Sequence, residues 1–292
     1  METWLILSLI FPALYALANV IDKFLLEKRV QNCFSIVPVG GWIQLIFGIG
    51  VLLFAPFAGT HSQAIIAFLI GIGISITYGL YYYALSVEEA TRAISIWYMT
   101  PVIIAILAAI FLDEILPAWK YAAIIVAAAG AVLIGIEQLR GFVMRKGFYV
   151  ILLNSFILAT ISIAQKHMLE TLSFLNLFGI QSLGLATGGT LFLVSRNVRR
   201  HLSIVLKSAH VVFAGETVTF AAVLIGLSAV ASAEVSKVSA MSSVQPLYLL
   251  IYMILLSTFI PHILKEVFTR KTLAIKIVSI LMIVVGTFFV AL

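Results

Sequence analysis

Of the chain's twelve carboxylates, one falls deep inside a long apolar run. Glu216 is the eighth residue of the stretch Ala209 to Ala231, about 11 Å along a helix that rises 1.5 Å per residue. The residues one turn before and after it, Val212 and Phe220, are apolar, so its own helix supplies no partner. A carboxyl group held that far from water suits a proton carrier or a counter-ion for an amino group. The alternative is an acid hydrogen-bonded to a neighbouring helix for packing.

Other polar groups come near helix ends. Asp22 and Lys23 close the first apolar run and Lys166 closes the sixth, flanked by Asn19 and Gln165. Either ammonium can snorkel to the headgroups, or gate a cavity and briefly hold a carboxylate at its own mouth. Pro101 and Pro246 are expected inside the fourth and ninth runs, where each would remove one helical bond and free a carbonyl. A membrane tolerates such carbonyls only inside protein or beside a wet cavity. Gln245, just before the second proline, is placed to meet a substrate. Tyr81 to Tyr83 read as an interfacial belt. Tyr78 and Tyr82, one turn apart, read with Trp97 as an apolar cavity wall or as part of that belt, and Tyr248 and Tyr252 repeat the spacing.

Carrying these groups requires a membrane. Hydrophobic residues make up 63% of the 292 residues and charged ones 10%, with a mean hydropathy of +1.17. Soluble domains run about 45–50% apolar and about 25% charged. So few charges cannot cover a water-exposed surface, which excludes a soluble globular enzyme and a disordered chain. Cys33 is the only cysteine, and the five histidines never fall at i,i+3 or i,i+4 spacing. No disulfide framework, metal site or cofactor is therefore expected. No G-x-x-x-x-G-K-[ST] loop occurs, so ATP is not the energy source. The net charge of +6 fits basic loops on an anionic membrane surface, and no nucleic-acid partner is expected.

A span needs about 20 mostly apolar residues. Ten runs qualify: Trp4 to Leu26, Phe34 to Pro56, Ala64 to Leu85, Thr91 to Leu112, Tyr121 to Ile136, Phe148 to Met168, Phe174 to Val194, Ala209 to Ala231, Met241 to Ile260 and Leu273 to Leu292. The expected fold is an all-α membrane protein of ten transmembrane helices. The first run does not read as a cleavable signal, because Met1-Glu-Thr-Trp4 lacks a basic start. Of the 18 Lys and Arg, only Lys120, Lys166 and Lys237 belong to the even-numbered connections and the termini; the other fifteen flank the odd ones. That bias places the odd connections in the cytoplasm and both termini outside. The basic stretch Arg199 to Lys207 reads as interfacial, on anionic lipid. Gly71, Gly73, Gly130, Gly184 and Gly188 read as sites of close helix packing.

The chain also matches itself. Residues 16–27 lie over 159–170 at an offset of 143, with Ala16/Ala159, Lys23/Lys166, Leu26/Leu169 and Glu27/Glu170 identical. Glu89 to Pro101 lies over Glu234 to Pro246 at an offset of 145. Two matches at nearly one offset predict two five-helix repeats, 1–140 and 147–292. Five is odd, so the second repeat enters the membrane inverted, and inverted repeats place a substrate site near the midplane between halves.

Ala18-Asn19-x-x-Asp22-Lys23, Glu89-Ala-x-Arg-Ala leading to Pro101, Phe111-Leu-Asp-Glu114 and Gly130 resemble the drug/metabolite transporter superfamily, EamA type. The resemblance implies a five-plus-five architecture with EamA-like repeats and export of amino acids or other small metabolites. It also implies a central cavity lined by helices one, three, four, six, eight and nine, and cytoplasmic termini, against the charge count. The second half departs from the pattern, with Lys265-Glu266 as its nearest counterpart to Asp113-Glu114.

The expected function is therefore a secondary transporter, an exporter of small metabolites and foremost of amino acids, working by alternating access with proton coupling through Glu216. Expected substrate-binding positions are Asn19, Tyr78, Tyr82, Trp97, Gln165, Glu216, Gln245 and Tyr248. Gating or ion coupling falls to Asp22, Lys23, Lys166 and Glu216, and helix breaks to Pro101 and Pro246. An exporter of hydrophobic amines or drugs and a passive channel or lipid scramblase stay open. An intramembrane enzyme would need a nucleophile, a base and an oxyanion donor converging, and Glu216 has no His or Asp companion at its depth. Small-molecule substrate and membrane lipid are the expected partners, in a bacterial or archaeal inner (cell) membrane; the oligomeric state is not legible.

Overall fold

The computed structural model describes residues 3–87, 97, 99–136, 146–259 and 270–292, and all its described elements are helical. The helices are α1 Thr3–Lys28, α2 Ile36–Phe54, α3 His61–Val87, α4 Thr100–Phe111, α5 Ala118–Ile136, α6 Lys146–Leu169, α7 Phe174–Leu191, α8 Arg196–Lys207, α9 Ala209–Ser232, α10 Val235–Ser242, α11 Gln245–Phe259 and α12 Arg270–Ala291. Among the described residues, seven stretches are long and apolar enough to cross a membrane, α10 and α11 together forming the last of them. Shorter apolar helices at Thr100–Phe111, Ala118–Gly130 and Ile277–Val290 stand where the fourth, fifth and tenth runs are expected. Large apolar side chains such as Ile46, Leu53, Ile65, Leu69 and Val284 face outward, as contact with acyl chains requires. Glu89, Arg92, Tyr98, Arg140, Arg145, Lys265 and Glu266 lie outside the described residues.

Two expectations are corrected. The ninth run is not one helix: α10 ends at Ser242 and α11 begins at Gln245. Pro101 and Pro246 do not interrupt helix interiors either, because each is the second residue of a helix, α4 and α11 respectively. Without an N–H, proline is best accommodated in a first turn, where that donor has no helical partner. Turns at Met99 and at Ser243-Val244 immediately precede the two helices.

The connections gather at two ends. Phe34, after α1, stacks on Tyr83 at the end of α3 and on Phe192 after α7. At the other end Asn176 bonds the backbone of Ala55, Pro56 and Ala58, and Gln63 donates to Thr171. The same end carries a clamp on the α9–α10 junction. Lys166 Nζ donates to the Val230 and Ala233 carbonyls at 2.9 and 2.7 Å, closing the C-terminus of α9. Glu114 accepts from the backbone N–H of Val235 and Ser236 and from the Ser236 hydroxyl at 3.0, 3.2 and 2.9 Å, capping the start of α10. A cation at a helix C-terminus and a carboxylate at an N-terminus are the favourable pairings with the helix dipole. Partial burial works against the charge of Glu234 between them, but the hydrogen bond and charge of Lys237 hold its carboxyl below the usual carboxylate range.

Close helix contacts rest on missing side chains. On α7, a Cβ at Gly184 would strike the Phe68 carbonyl of α3, and one at Gly71 of α3 would strike the Gln181 carbonyl of α7. Gly41 and Gly189 bring α2 and α7 together in the same way, and Gly130 and Gly286 do so for α5 and α12. Lipid supplies no hydrophobic drive between helices, so such backbone approach is a main source of association. Gly184→Val should lower the melting temperature in detergent, in line with the roughly 1–3 kcal/mol of an overpacked core. Gly50→Ala, with open space around it, should not; equal melting of the two variants would refute this packing account.

Candidate functional site

A cavity of about 300 Å³ opens in the middle of the bundle. Its walls come from α1, α3, α4 with Trp97, α6, α9 and the broken α10–α11 pair, which are the six helices the resemblance implies, and additionally from α2 and α7. On α1 the lining positions Tyr15, Ala18, Asn19 and Asp22 recur three, four and seven residues apart, the spacing of one helical face. On α6 they are Leu158, Ile161, Ser162 and Gln165, each 143 residues further on. Trp97 and Thr100 likewise have lining counterparts 145 residues on, at Ser242 and Gln245.

The carboxyl and amide side chains of the wall form three groups. In the first, Gln245 Nε2 donates to Asn19 Oδ1 at 2.7 Å, Asn19 Nδ2 donates to the Tyr81 hydroxyl at 2.7 Å, and Tyr81 donates to Asp22 at 3.3 Å. Tyr82 donates to the other Asp22 oxygen at 3.2 Å. The chain runs in one direction, from amide to carboxylate, so every member has its partner. Trp97 meets Tyr81 edge-on at 5.2 Å and Tyr78 meets Tyr82 at 6.5 Å, which makes this side aromatic. In the second group Gln165 Nε2 donates to Gln181 Oε1 at 3.0 Å.

The third group holds Glu216, which is 5% exposed. Its carboxyl group lies over Gly40 of α2, in space a Cβ there would fill. One turn further along α2, Gln44 Nε2 donates to the Glu216 carboxylate at 2.6 Å and to the Glu216 backbone carbonyl at 3.0 Å. Glycine for room and glutamine for donors, four residues apart, thus seat the acid.

The structure brings together Asn19, Asp22, Tyr78, Tyr82, Trp97, Pro101, Gln165, Glu216 and Gln245 around the cavity. It sets others apart from it. Tyr248 packs with Val244 and Ile283 and is not part of the lining, although Gln245, three residues earlier on the same helix, is. Pro246 is buried and Tyr252 packs near Val20 and Met253. Lys23 lies 4.0 Å from Glu27 on the outer turn of α1, and Lys166 is engaged on α9; neither lines the cavity. Tyr81, expected in a belt, is 8% exposed and lines the cavity instead, while Tyr83 stacks on Phe34. Tyr15, Gln44 and Gln181 also line it without having been singled out from the sequence. The available signal was a lone amide in an apolar run with glycine one turn before it, Gly40-x-x-x-Gln44.

The EamA-like transporter family matches residues 2–136. A solved crystal structure resembles the chain with a TM-score of 0.63, covering 99% of this chain and 96% of that one at 16% identity. At that identity the likeness bears on the fold. No curated protein matches. Lys166→Met should lower thermal stability by about 1.5–3 kcal/mol, as expected for bonds to a charged donor, and leave the affinity of the cavity for its ligand unchanged. Weakened ligand binding at unchanged stability would return Lys166 to a gating role.

Proposed function

From its place in the drug/metabolite transporter superfamily, to which the match over residues 2–136 assigns it, we infer that this chain is a secondary carrier of small apolar or aromatic molecules bearing an amino group. It is a multi-pass integral membrane transporter of small molecules and not an enzyme. The observation that carries the substrate reading is the acidic lining of the cavity. Asp22 and Glu216 place two carboxyl groups in the wall, and among the described lining residues there is no Lys, Arg or His. Two carboxylates set among aromatic rings attract cations, the acids by charge and the rings by their negative faces.

That composition shifts the weight between the two substrate readings. Amino acids were expected to lodge their carboxylate on Lys23 or Lys166, but neither lines the cavity: Lys166 is bonded to the end of α9 and Lys23 lies 4.0 Å from Glu27. Free amines therefore fit better than zwitterions. Apolar amino acids remain a second reading, supported by the amide side chains of Asn19, Gln165, Gln181 and Gln245, which can donate to a carboxylate.

Alternating access between two inverted halves, 1–140 and 147–292, completes the mechanism. Its support is the matched lining of α1 and α6 and a matched pattern of neighbours. α1 packs on α9 as α6 packs on α3, α1 meets α11 as α6 meets α4, and the pairs α2–α7 and α5–α12 pack on each other. Glu216, seated on the opposite half, is the carboxyl group placed to exchange a proton for a cationic substrate. Export is the direction the resemblance implies. Termini outside agree with the loop charges, since the three basic residues of the even-numbered side each have a local partner: Lys120 the Val290 carbonyl, Lys166 the end of α9 and Lys237 Glu234.

In proteoliposomes, labelled 2-phenylethylamine should show saturable counterflow that Glu216→Gln and Asp22→Asn each reduce about tenfold or more, the scale of a lost charged contact. In wild-type vesicles a pH gradient should drive accumulation, and Glu216→Gln should abolish that drive. Flux that rises linearly with concentration and shows no counterflow would mark a channel and sink the carrier reading.

A further inference from the structure

Gln44 is 1% exposed and belongs to the cavity wall. Both hydrogens of its Nε2 are directed at Glu216, one at the carboxylate and one at the backbone carbonyl. The partners fix the amide's orientation, because turning it over would set Oε1 against two acceptors. Oε1 is then left buried with no hydrogen-bond partner among the described residues. Six buried side-chain polar atoms have no partner among the described residues, and Oε1 is the one whose residue belongs to the cavity wall, where leaving it unmet is costly. That arrangement is explained if a donor arrives with the ligand.

We propose that Gln44 and Glu216 together form a seat that reads N–H bonds, selecting primary and secondary ammonium groups over quaternary ammonium ions. The inference rests on the amine-carrier reading above and adds what that reading leaves open. Charge and aromatic faces attract any organic cation, methylated or not. An N–H donor is needed only where an acceptor waits for it. A protonated primary amine places one N–H on the Glu216 carboxylate and another on Gln44 Oε1. A trimethylammonium group meets the same carboxylate at longer range and leaves Oε1 unmet, so the site loses the hydrogen bond without regaining water. Gly40 contributes by leaving room for the acid: with no Cβ there, the carboxyl lies flat against α2, within reach of Gln44 one turn away.

The test compares 2-phenylethylamine with its N,N,N-trimethyl derivative, binding to the purified full-length chain in detergent. The wild type should hold the primary amine roughly tenfold to a hundredfold tighter, the range of one bond to a charged donor. Gln44→Met, unbranched and of similar length, should bring the two probes within about twofold by weakening the primary amine alone. Equal binding of both probes by the wild type overturns the proposal, and that comparison stands even if Gln44→Met does not fold. A folded Gln44→Met that keeps the full preference overturns it as well. Failure of both probes to bind overturns the amine-carrier reading together with it, whereas binding without discrimination overturns the selective seat alone.

Discussion

A polar group surrounded by hydrocarbon is costly unless it finds a partner inside the protein, and the carboxyl and amide side chains of the cavity wall each have one. Asp22, Glu216, Asn19, Gln44, Gln165, Gln181 and Gln245 point to one another across helices rather than to lipid, and the space they enclose is the cavity. The contact on which most depends is that of Glu216 with α2. It joins a helix of the second half to one of the first, and it keeps a carboxyl group away from acyl chains. Its dependence on Gly40 ties it to the exclusion of one methyl-sized volume.

The surrounding scaffold makes that contact possible by holding backbones close. α7 lies against both α2 and α3 through glycines, and α5 against α12 through Gly130 and Gly286. Where a helix has to end within the bundle, charges close it. Lys166 takes the carbonyls at the end of α9 and Glu114 the amides at the start of α10, so a two-residue connection, Ala233-Glu234, spans the gap without stranded donors. This gives a physical reason for the acidic residue of Phe111-Leu-Asp-Glu114, noted in the sequence only as part of a resemblance. The two prolines play a related part: each stands in a first turn, where its missing N–H has no helical partner.

Position along the chain was legible for Asn19, Asp22, Tyr78, Tyr82, Trp97, Gln165, Glu216 and Gln245, because polar or aromatic residues inside apolar runs stand out against lipid. What misled was direction. Lys166 and Lys23 share symmetric positions and yet neither lines the cavity, since a long flexible ammonium reaches whatever carbonyl or carboxylate lies nearby. Tyr81 and Tyr83 differ by two residues, which on a helix places them on nearly opposite faces, one in the cavity and one against Phe34. Tyr248 repeats a one-turn aromatic spacing and still misses the wall, because periodicity within a helix does not say which neighbour covers a face, and here Val244 and Ile283 cover it.

Hydropathy and charge alone determined that the chain lives in a membrane, crosses it many times and carries a single deeply placed acid, since those properties depend on the kind and order of side chains and on nothing else. The pairing of that acid with Gly40 and Gln44 could not be read in the same way. The three residues come together only when α2 and α9 pack, 172 positions separating Gln44 from Glu216, and a helix's own periodicity says which face a side chain shares but not which helix will cover it. Only the packed bundle made that choice, by bringing a glycine notch and an amide on one helix up to the carboxyl group of the other.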